Sequence, residues 1–352
     1  MLMDRKRLQE ITAAFKTKRV AVAGDFFLDR IFNVDRGLDE PSVETGLTAY
    51  QVVSRNMLPG AAGVITNNLF AFGVEKIYSV ALLGDDGEAF DLIKGLQATR
   101  VDTQYMVRSA EVFTPTYTKT FFDYSHGLEE THRIDIRNRK ATPESAERQL
   151  IDNFYALAEK IDLLICLEQL KNSAFGVFTP SVLEALQDIA KLNPEMIIMA
   201  DSRYNITGFK HMTIKCNDVE AVRAVYPKKG INNSDEISDS LVSDCLRVLS
   251  GGMDKPVFVT CGSKGAKIIE DGVVMTVPAH RVEGPIDICG AGDSATCAIA
   301  TSLSAGASPS EAALLGNLVA SITIQQLGVT GIATIPQLHA RFDEYTRAVV
   351  SK

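Results

Sequence analysis

The stretch Arg19-Val20-Ala21-Val22-Ala23-Gly24 is a short run of apolar residues that ends in a glycine. A strand buried on both faces, as in a parallel sheet, has this near-continuous apolar character. Helical and strand-like segments alternate from there to the end of the chain, with further apolar strand-like runs at 163–167 and 257–260. Alternating β and α units predict a mostly parallel sheet with helices on both faces.

Hydrophobic periodicity predicts the remaining elements. Apolar residues at helical spacing predict helices over 61–72, 88–97, 144–159, 181–191, 218–225 and 235–249, and near 292–305, 309–326 and 335–349. Strands are predicted over 77–83 and 196–200, and Asp271-Gly272 predicts a hairpin turn between strands over 266–269 and 273–277. The N-terminal residues, in which charged and apolar side chains alternate, predict a short amphipathic helix.

Two segments, 30–57 and 116–137, interrupt the α/β alternation. Both are strand-like with alternating polar residues, and neither contains a predicted helix. We expect them to pair into a small β-sheet that forms a lid on the α/β body; two unrelated surface hairpins are the alternative. The chain, residues 1–352, is then a single domain with a lid inserted from these two segments.

The composition excludes several classes of protein. Of 352 residues, 46% are hydrophobic and 23% charged, and the net charge of −8 argues against general binding to nucleic acid or an anionic membrane. No apolar stretch approaches the roughly 20 residues of a membrane span, and the N-terminus has no signal-peptide core. Six cysteines without a CxxC pair indicate reduced thiols in a cytoplasmic protein, and the five histidines show no metal-binding spacing.

The segment Asp287-Ile288-Cys289-Gly290-Ala291-Gly292-Asp293-Ser294 carries the strongest chemical signal. Two glycines at a helix start let backbone N–H groups approach an anion, and the helix dipole favours negative charge there. A carboxylate in the same turn, Asp293, suggests an acceptor hydroxyl held between a base and a phosphate, and hence phosphoryl transfer. The alternatives are a plain helix cap and the dinucleotide fingerprint GxGxxA, which the motif's late position disfavours.

Two further segments suit nucleotide and metal binding. Thr260-Cys261-Gly262-Ser263-Lys264-Gly265 follows a strand and offers small residues, hydroxyls and an ammonium group to phosphates; a tight turn is the alternative. Asn217 and Glu220 open a helix, where they would form a capping box, or would place Glu220 near Mg²⁺ through water. The pattern GxxxxGK(S/T) does not occur, which argues against a P-loop NTPase.

Asp25 directly follows the first strand. Because open α/β sheets bind ligands beyond the carboxyl ends of their strands, we expect Asp25 to accept hydrogen bonds from a polyhydroxylated ligand. Gly60-Ala61-Ala62-Gly63 begins the next helix and would let a ligand lie against the backbone. Turn chemistry alone is the alternative for both segments.

Together these segments resemble the ribokinase-like (PfkB) carbohydrate kinase family over nearly the whole chain. Residues 287–293 are similar to the family's C-terminal signature, 217–220 to its NxxE magnesium motif and 260–265 to its ATP-phosphate turn. The resemblance implies a Rossmann-like α/β body with a small β-sheet lid. It also implies an ATP- and Mg²⁺-dependent phosphotransferase that acts on an alcohol group.

The resemblance further implies a role for each matching residue. Asp293 would take the proton from the sugar hydroxyl, and Gly290, Ala291 and Gly292 would form the anion hole for the γ-phosphoryl group. Glu220 would organise Mg²⁺ through water, and Asp287 would mark a monovalent cation site for K⁺. The ATP-binding set would be Asn217, Thr260, Gly262, Ser263 and Gly265, and the substrate-binding set Asp25, Asp29, Gly60, Ala61, Glu168, Lys119 and Arg133.

Within the family, Gly24 to Arg30 resembles the heptose 7-phosphate kinases of lipopolysaccharide precursor synthesis, as do 118–120 and 132–135. On the lid, Lys119, Arg133 and Arg137 would bind a substrate phosphate; an ordinary charged face is the alternative. There are two departures from the family pattern. Gly63 stands where the family has the Asn of Gly-Gly-x-x-Asn, and Ile288 follows Asp287 where the family has Thr.

We therefore expect an ATP- and Mg²⁺-dependent kinase of a sugar or sugar phosphate, with a heptose 7-phosphate-like acceptor favoured. A nucleoside kinase with the same machinery is one alternative. A non-catalytic, ligand-binding pseudokinase is the other, and Gly63 in place of the Asn favours it. Exposed lid edges would also allow a homodimer that forms through the lid.

Overall fold

The computed structural model describes residues 3–124 and 127–350. Its strands are β1 (Arg19–Gly24), β2 (Phe26–Asp35), β3 (Glu40–Pro41), β4 (Thr48–Ala49), β5 (Val52–Ala61), β6 (Lys76–Val80), β7 (Leu82–Gly84), β8 (Val101–Asp102), β9 (Val107–Ser109), β10 (Thr116–Tyr124), β11 (Gly127–Ile136), β12 (Leu163–Glu168), β13 (Ile197–Ser202), β14 (Thr213–Asn217), β15 (Val257–Thr260), β16 (Ala266–Glu270) and β17 (Val273–Val277). The α-helices are α1 (Arg5–Ala14), α2 (Ala62–Phe72), α3 (Gly87–Ala98), α4 (Glu144–Ala158), α5 (Pro180–Leu192), α6 (Asp218–Val225), α7 (Asp239–Gly251), α8 (Ala291–Ser304), α9 (Pro309–Thr323) and α10 (Ile335–Val350).

The body is built on a nine-stranded sheet with the order β17-β16-β15-β14-β13-β12-β1-β6-β8. The pairs from β14–β15 through β6–β8 are parallel, and the hairpin β16–β17 adds two antiparallel strands at one edge. This confirms the predicted fold class. Strand β1 lies between β6 and β12, so the direction in which strands are added reverses between β1 and β12. A reversal of this kind opens a crevice at the carboxyl ends of the two strands.

A second sheet of four strands, with the order β11-β10-β2-β5, forms the lid. It is mixed, because β10 runs parallel to β2 while β11 and β5 are antiparallel to their neighbours. The two predicted lid segments therefore pair with each other, although β2 begins at Phe26 and β5 extends to Ala61. Within the predicted segment 116–137, Ser125 and His126 lie outside the described residues.

Two apolar cores cover the two faces of the large sheet. On β1, Val20 and Val22 face one core and Ala21 and Ala23 face the other. The first core contains buried residues of α1, α2, α3, α8, α9 and α10, and the second contains those of α4, α5, α6 and α7. Successive strand residues point to opposite faces, which explains why the strands are apolar throughout.

Three predicted elements were wrong in extent by more than two residues. The helix predicted over 309–326 ends at Thr323. The strand predicted over 77–83 is divided, because β6 ends at Val80 and β7 pairs with β9 in a separate small sheet. The helix predicted over 235–249 begins only at Asp239. Ser238 sets that start, since its hydroxyl accepts a hydrogen bond from the N–H of Leu241 as an N-cap.

All six cysteines are free thiols, and five of them are buried; Cys289 is exposed. Among the described helices, none combines the length and the apolar character needed to cross a membrane.

Candidate active site

Asp25 lies at the crevice between β1 and β12. Its Oδ2 accepts hydrogen bonds from the backbone N–H groups of Gln169 and Leu170, at 2.6 and 3.0 Å. Burial raises the pKa of Asp25 to about 7, and the neighbouring Glu168 adds to the effect. One carboxylate oxygen of Asp25 therefore holds the loop after β12, which leaves the other for a ligand.

Glu168 ends β12, beside Asp25. It is only 2% exposed. Its Oε2 accepts a hydrogen bond from Ser202 Oγ at 2.6 Å, whereas Oε1 has no hydrogen-bond partner within the described residues. Burial raises the pKa of Glu168 above its usual range. A buried carboxylate oxygen without a hydrogen-bond partner lowers the stability of the fold, so this atom is suited to accept a hydrogen bond from a hydroxyl of a ligand.

The junction of β5 and α2 forms the lid side of the crevice. A Cβ at Gly60 would lie 2.2 Å from Asp29 Oδ2, so the absence of a side chain lets the Asp29 carboxylate rest on the backbone there. Ala61 has a φ of 51°, a conformation that costs a non-glycine residue of order 1–3 kcal/mol. Gly60 and Ala61 belong to the end of β5, and not to the helix in which the sequence pattern placed them.

Gly63 is the position at which the chain lacks the family's asparagine. It is buried in the first turn of α2, and a Cβ there would lie 2.5 Å from the Cβ of Pro59. Any larger residue at position 63 would have to displace Pro59. An asparagine at position 63 would therefore require Pro59 in β5 to move.

The segment 290–293 starts α8. Gly290 is the N-cap and has a φ of 77°, in the left-handed region that favours glycine. Ala291 donates its N–H to Ile288 O, and Ser294 donates to Gly290 O. The N–H groups between them, those of Gly292 and Asp293, belong to the first turn, where a helix supplies no acceptor. They are available to an anion at the helix start.

Asp293 lies in the first turn of α8. Burial raises its pKa to about 7, and the carboxylate of Asp201 adds to this rise, while Lys215 and Arg203 oppose it. A carboxyl group whose pKa is near neutral pH, placed beside free N–H groups, suits a general base next to a phosphate.

Asp287 closes the loop before α8. Its Oδ1 accepts the N–H of Cys289 at 2.9 Å, and its Oδ2 accepts the N–H of Gly328 at 3.2 Å. Each carboxylate oxygen thus already has a partner. The carboxylate ties the loop to the segment after α9, whether or not it also binds a cation.

Asn217 and Glu220 form a complete capping box at the start of α6. Asn217 Oδ1 accepts the N–H of Glu220, and Glu220 Oε2 accepts the N–H of Asn217, both at 2.8 Å. The predicted cap is therefore confirmed. Burial raises the pKa of Glu220, and Asp201 adds to this rise. A hard carboxylate that keeps one oxygen free fits Mg²⁺, which retains much of its water.

The segment 260–265 is a compact turn next to Asn217, which is opposite Thr260 in the β14–β15 register. The hydroxyl of Thr260 donates to Cys216 O at 3.3 Å, and Cys261 donates its N–H to Gly265 O. At Gly265, where φ is 95°, a Cβ would lie 2.1 Å from Val277 O. The turn is closed by its own backbone, and Gly262 and Ser263 are exposed at its tip.

One face of the lid carries a cluster of charged side chains around Tyr117. Arg133 and Arg137 both form ion pairs with Asp135, at 2.7 Å each. Their guanidinium groups lie 4.3 and 5.0 Å from the ring centre of Tyr117. Lys119 is opposite Arg133 in the register. Partial burial raises the pKa of Asp29, and the charge of Lys119 opposes that rise. This cluster (Tyr117, Lys119, Arg133, Asp135 and Arg137) is called the lid cluster below.

The structure brings several of the predicted residues together in pairs. Asp25 and Glu168 lie at the ends of the paired strands β1 and β12, and Asn217 is opposite Thr260. The charge of Arg203 lowers the pKa of both Asp25 and Asp293. Sequence reasoning missed Asp201, Arg203 and Lys215. Asp201 lies near the carboxyl end of β13, Arg203 directly follows that strand, and Lys215 lies in the middle of β14. The available signal was Lys215, a lysine inside an otherwise apolar strand-like run.

The family model of the pfkB family carbohydrate kinases matches residues 53–336. The chain belongs to this family. Its members use ATP with Mg²⁺ and transfer a phosphoryl group to an alcohol group of a sugar. The expectations of a PfkB carbohydrate kinase and of a ribokinase-like fold are confirmed.

Relatives with a curated description are identical to this chain at about a quarter of the aligned residues. The "Bifunctional protein HldE" of Caulobacter vibrioides is 25% identical over 335 residues, covering 95% of this chain and 65% of the relative. That of Caulobacter sp. (strain K31) is 27% identical over 334 residues, covering 94% and 64%. This PfkB chain thus spans just under two thirds of the length of these relatives.

Solved structures share the fold. Ribokinase from Thermotoga maritima superposes with a TM-score of 0.64 at 20% identity, covering 93% of this chain and 99% of that chain. A nucleoside kinase from Burkholderia thailandensis in complex with inosine superposes with a TM-score of 0.58 at 17% identity, covering 92% and 98%. At these identities the comparison establishes the architecture of this PfkB kinase, and not its acceptor.

Proposed function

We propose that this PfkB kinase transfers the γ-phosphoryl group of ATP to a hydroxyl of a phosphorylated sugar, with heptose 7-phosphate as the favoured acceptor. The observation that carries the transfer step is the placement of Asp293, with a pKa of about 7, beside the free N–H groups of α8. The likeness of 24–30, 118–120 and 132–135 to the heptose 7-phosphate kinases supports the choice of acceptor.

In the proposed mechanism, Asp293 accepts the proton of the attacking hydroxyl. The oxygen then forms a bond to the γ-phosphorus as the bond to the β-phosphate oxygen breaks. Gly290 leaves the helix start open, and the free N–H groups of Gly292 and Asp293 stabilise the charge on the transferred group; the N–H of Ala291, which the sequence also proposed for this role, is donated to Ile288 O. Phosphoryl transfer depends on such positioning and charge neutralisation more than on covalent chemistry.

We place the acceptor in the crevice between β1 and β12. Asp25 and Glu168 lie at two adjacent strand ends, and their free oxygens would accept hydrogen bonds from the sugar hydroxyls. Asp29, Gly60 and Ala61 would close the lid side of the sugar. A polyhydroxylated ligand satisfies both carboxylates at once, which an apolar ligand cannot do.

The lid cluster would bind the phosphate that the acceptor already carries. Two guanidinium groups share the carboxylate of Asp135, and Lys119 lies on the same face as the carboxylate of Asp29. The cations outnumber the carboxylates among these side chains, so one positive charge is left for a phosphate. Arginine and lysine bind phosphate through charge-assisted hydrogen bonds. A lid held down by this contact would also exclude water and suppress idle hydrolysis of ATP.

We assign ATP to the side of the crevice beyond Asn217. The turn of Thr260, Gly262, Ser263 and Gly265 lies next to Asn217 and would contact the nucleotide phosphates. Glu220 would hold Mg²⁺ through water, and the ion would supply neutralisation of charge on the β- and γ-phosphates. Asp287 is the residue we propose for K⁺.

The chain is further proposed to act as one domain, with the lid inserted from the two segments that form β2, β5, β10 and β11. A homodimer would form through the outer strands of that lid, β5 and β11.

The test is ADP release from MgATP, with and without K⁺, across a panel of acceptors. The panel contains free hexoses and pentoses, phosphorylated hexoses and heptoses, and nucleosides. Strong turnover with a heptose 7-phosphate, and weak turnover with its unphosphorylated form, is the expected result. Turnover with nucleosides only would identify the protein as a nucleoside kinase. No ADP release with any acceptor, in a sample that binds ATP, would favour a non-catalytic protein.

A further inference from the structure

Lys215 is a buried lysine beneath the first turn of α8. It is 3% exposed, and its Nζ lies 2.9 Å from Asp201 Oδ2. A Cβ added at Gly292 would lie 3.3 Å from that Nζ. The ammonium group thus lies next to Gly292, in the backbone that forms the candidate anion hole, although its side chain comes from the sheet.

Asp201, the partner of this ammonium group, is itself held by a second contact. Asp201 Oδ2 also accepts a hydrogen bond from Thr296 Oγ1 at 2.6 Å, and Thr296 is one turn after Asp293 on α8. Lys215, Asp201 and Thr296 therefore connect β14, β13 and the start of α8. The arrangement holds a positive charge and the helix start in one relative position.

Stability alone does not explain a buried ion pair here. Replacing such a pair by packed apolar residues is often neutral or stabilising. Ile214 and Cys216, on either side of Lys215, pack into the apolar core on the opposite face of the sheet, whereas Lys215 is buried on the face toward Asp201 and α8. Lys215 is also surrounded by acidic groups, since Asp201, Glu220 and Asp293 all act on its pKa. Its charge is placed where further negative charge would arrive with a phosphate.

We propose that Lys215 is a positioning residue for phosphoryl transfer: its ammonium group, held by Asp201 under Gly292, supports the first turn of α8 in binding the transferred phosphoryl group. The proposal rests on the proposed function in that it takes α8 as the phosphate site. Lys215 acts through the backbone of Gly292 and through its charge.

The test uses a pair of variants that separates charge from packing. Lys215→Met removes the charge but leaves Asp201 buried without a partner, so a loss of stability is expected. In the double variant Lys215→Met/Asp201→Asn that unpaired charge is gone, and the melting temperature should recover. If Lys215 served only packing, the double variant would recover its activity along with its stability.

Two measurements are made on each variant: kcat with the best acceptor, and the dissociation constants of MgADP alone and of MgADP with aluminium fluoride, which mimics the transferred group. We expect the double variant to bind MgADP as the wild type does. Its affinity for the fluoride complex and its kcat should both fall by at least about tenfold, since removing one transition-state contact costs about 10²- to 10³-fold in other enzymes.

A matched control is provided by Lys267, a second buried lysine, whose Nζ pairs with Asp239 and Thr276. Lys267→Met/Asp239→Asn should leave the fluoride affinity unchanged. Wild-type affinity for the fluoride complex in the Lys215 double variant would overturn the proposal, as would a wild-type protein that binds this complex no more tightly than MgADP. If no acceptor is turned over but the fluoride effect appears, the proposed acceptor fails and the role of Lys215 stands.

Discussion

Replacement of Asp293 by Asn tests the proposed base directly. The amide keeps the size of the side chain but cannot accept the hydroxyl proton, so kcat should fall by about 10²- to 10⁴-fold. Because Asp293 is in the first turn of α8 and not in the turn of 260–265, the dissociation constant of MgATP should change little. The measurement is kcat by coupled ADP release, with ATP affinity from calorimetry.

The pH dependence gives the same test a sign and a magnitude. Burial raises the pKa of Asp293 to about 7, and only the ionised carboxylate can accept a proton. With a pKa near 7, the ionised fraction rises from about one tenth at pH 6 to about nine tenths at pH 8. The value of kcat/KM for the acceptor should therefore increase roughly tenfold over this interval and be lost as the pH falls.

Asp25 provides the control, because burial raises its pKa to about 7 as well. Asp25→Asn should raise the KM of the acceptor and keep the acid limb of the profile, whereas Asp293→Asn should remove that limb along with most of the rate. A flat profile between pH 6 and 8 in the wild type, or substantial turnover by Asp293→Asn, would refute the assignment of the base.

Three further predictions concern other parts of the molecule. Arg133→Ala should raise the KM of a phosphorylated acceptor by about tenfold or more, the cost of a charged hydrogen bond; Arg55→Ala, on the opposite face of the lid, should not. Glu220→Gln keeps a cap acceptor, yet should raise the Mg²⁺ concentration for half-maximal rate several-fold; an unchanged requirement would leave Glu220 with the cap alone. Replacement of buried Asn68 by Ala should lower the free energy of unfolding by about 2–3 kcal/mol, because its side chain donates to Val64 O and accepts the N–H of Ala333. Circular dichroism during urea unfolding measures this, with a variant at the exposed Asn56, Asn56→Ala, as the reference.

Much of the fold follows from local sequence patterns. Helix α6 and strand β15 begin and end at the predicted residues, because an N-cap and short apolar runs mark their boundaries. The predicted strand over 77–83 failed since periodicity does not reveal that β7 leaves the main sheet to pair with β9. The start of α7 was placed too early because Asp235 and Glu236 lie in a separate short turn before the Ser238 cap.

The candidate site was predicted where a chemical group and its neighbours in the chain suffice to define it. Asp293 with its glycines and the box of Asn217 and Glu220 are such cases. The ion pair of Lys215 with Asp201 joins two strands, and no local pattern reports which residues of neighbouring strands are opposite each other. The lack of space for a side chain at Gly63, beside Pro59, likewise depends on the path by which β5 enters α2.

The way in which the lid leaves the body has a consequence for building chimaeric enzymes. Only Asp25 separates β1 from β2, and β5 runs directly into α2 at Ala61 and Ala62. Both of these junctions pass through the proposed acceptor crevice. An exchange of lids between family members would therefore carry part of the acceptor specificity with it. Crossover points at Gly24 and Ala62 would transfer Asp25, Asp29 and Gly60 as one unit, and an exchange of the whole lid would need a second pair of crossover points around β10 and β11.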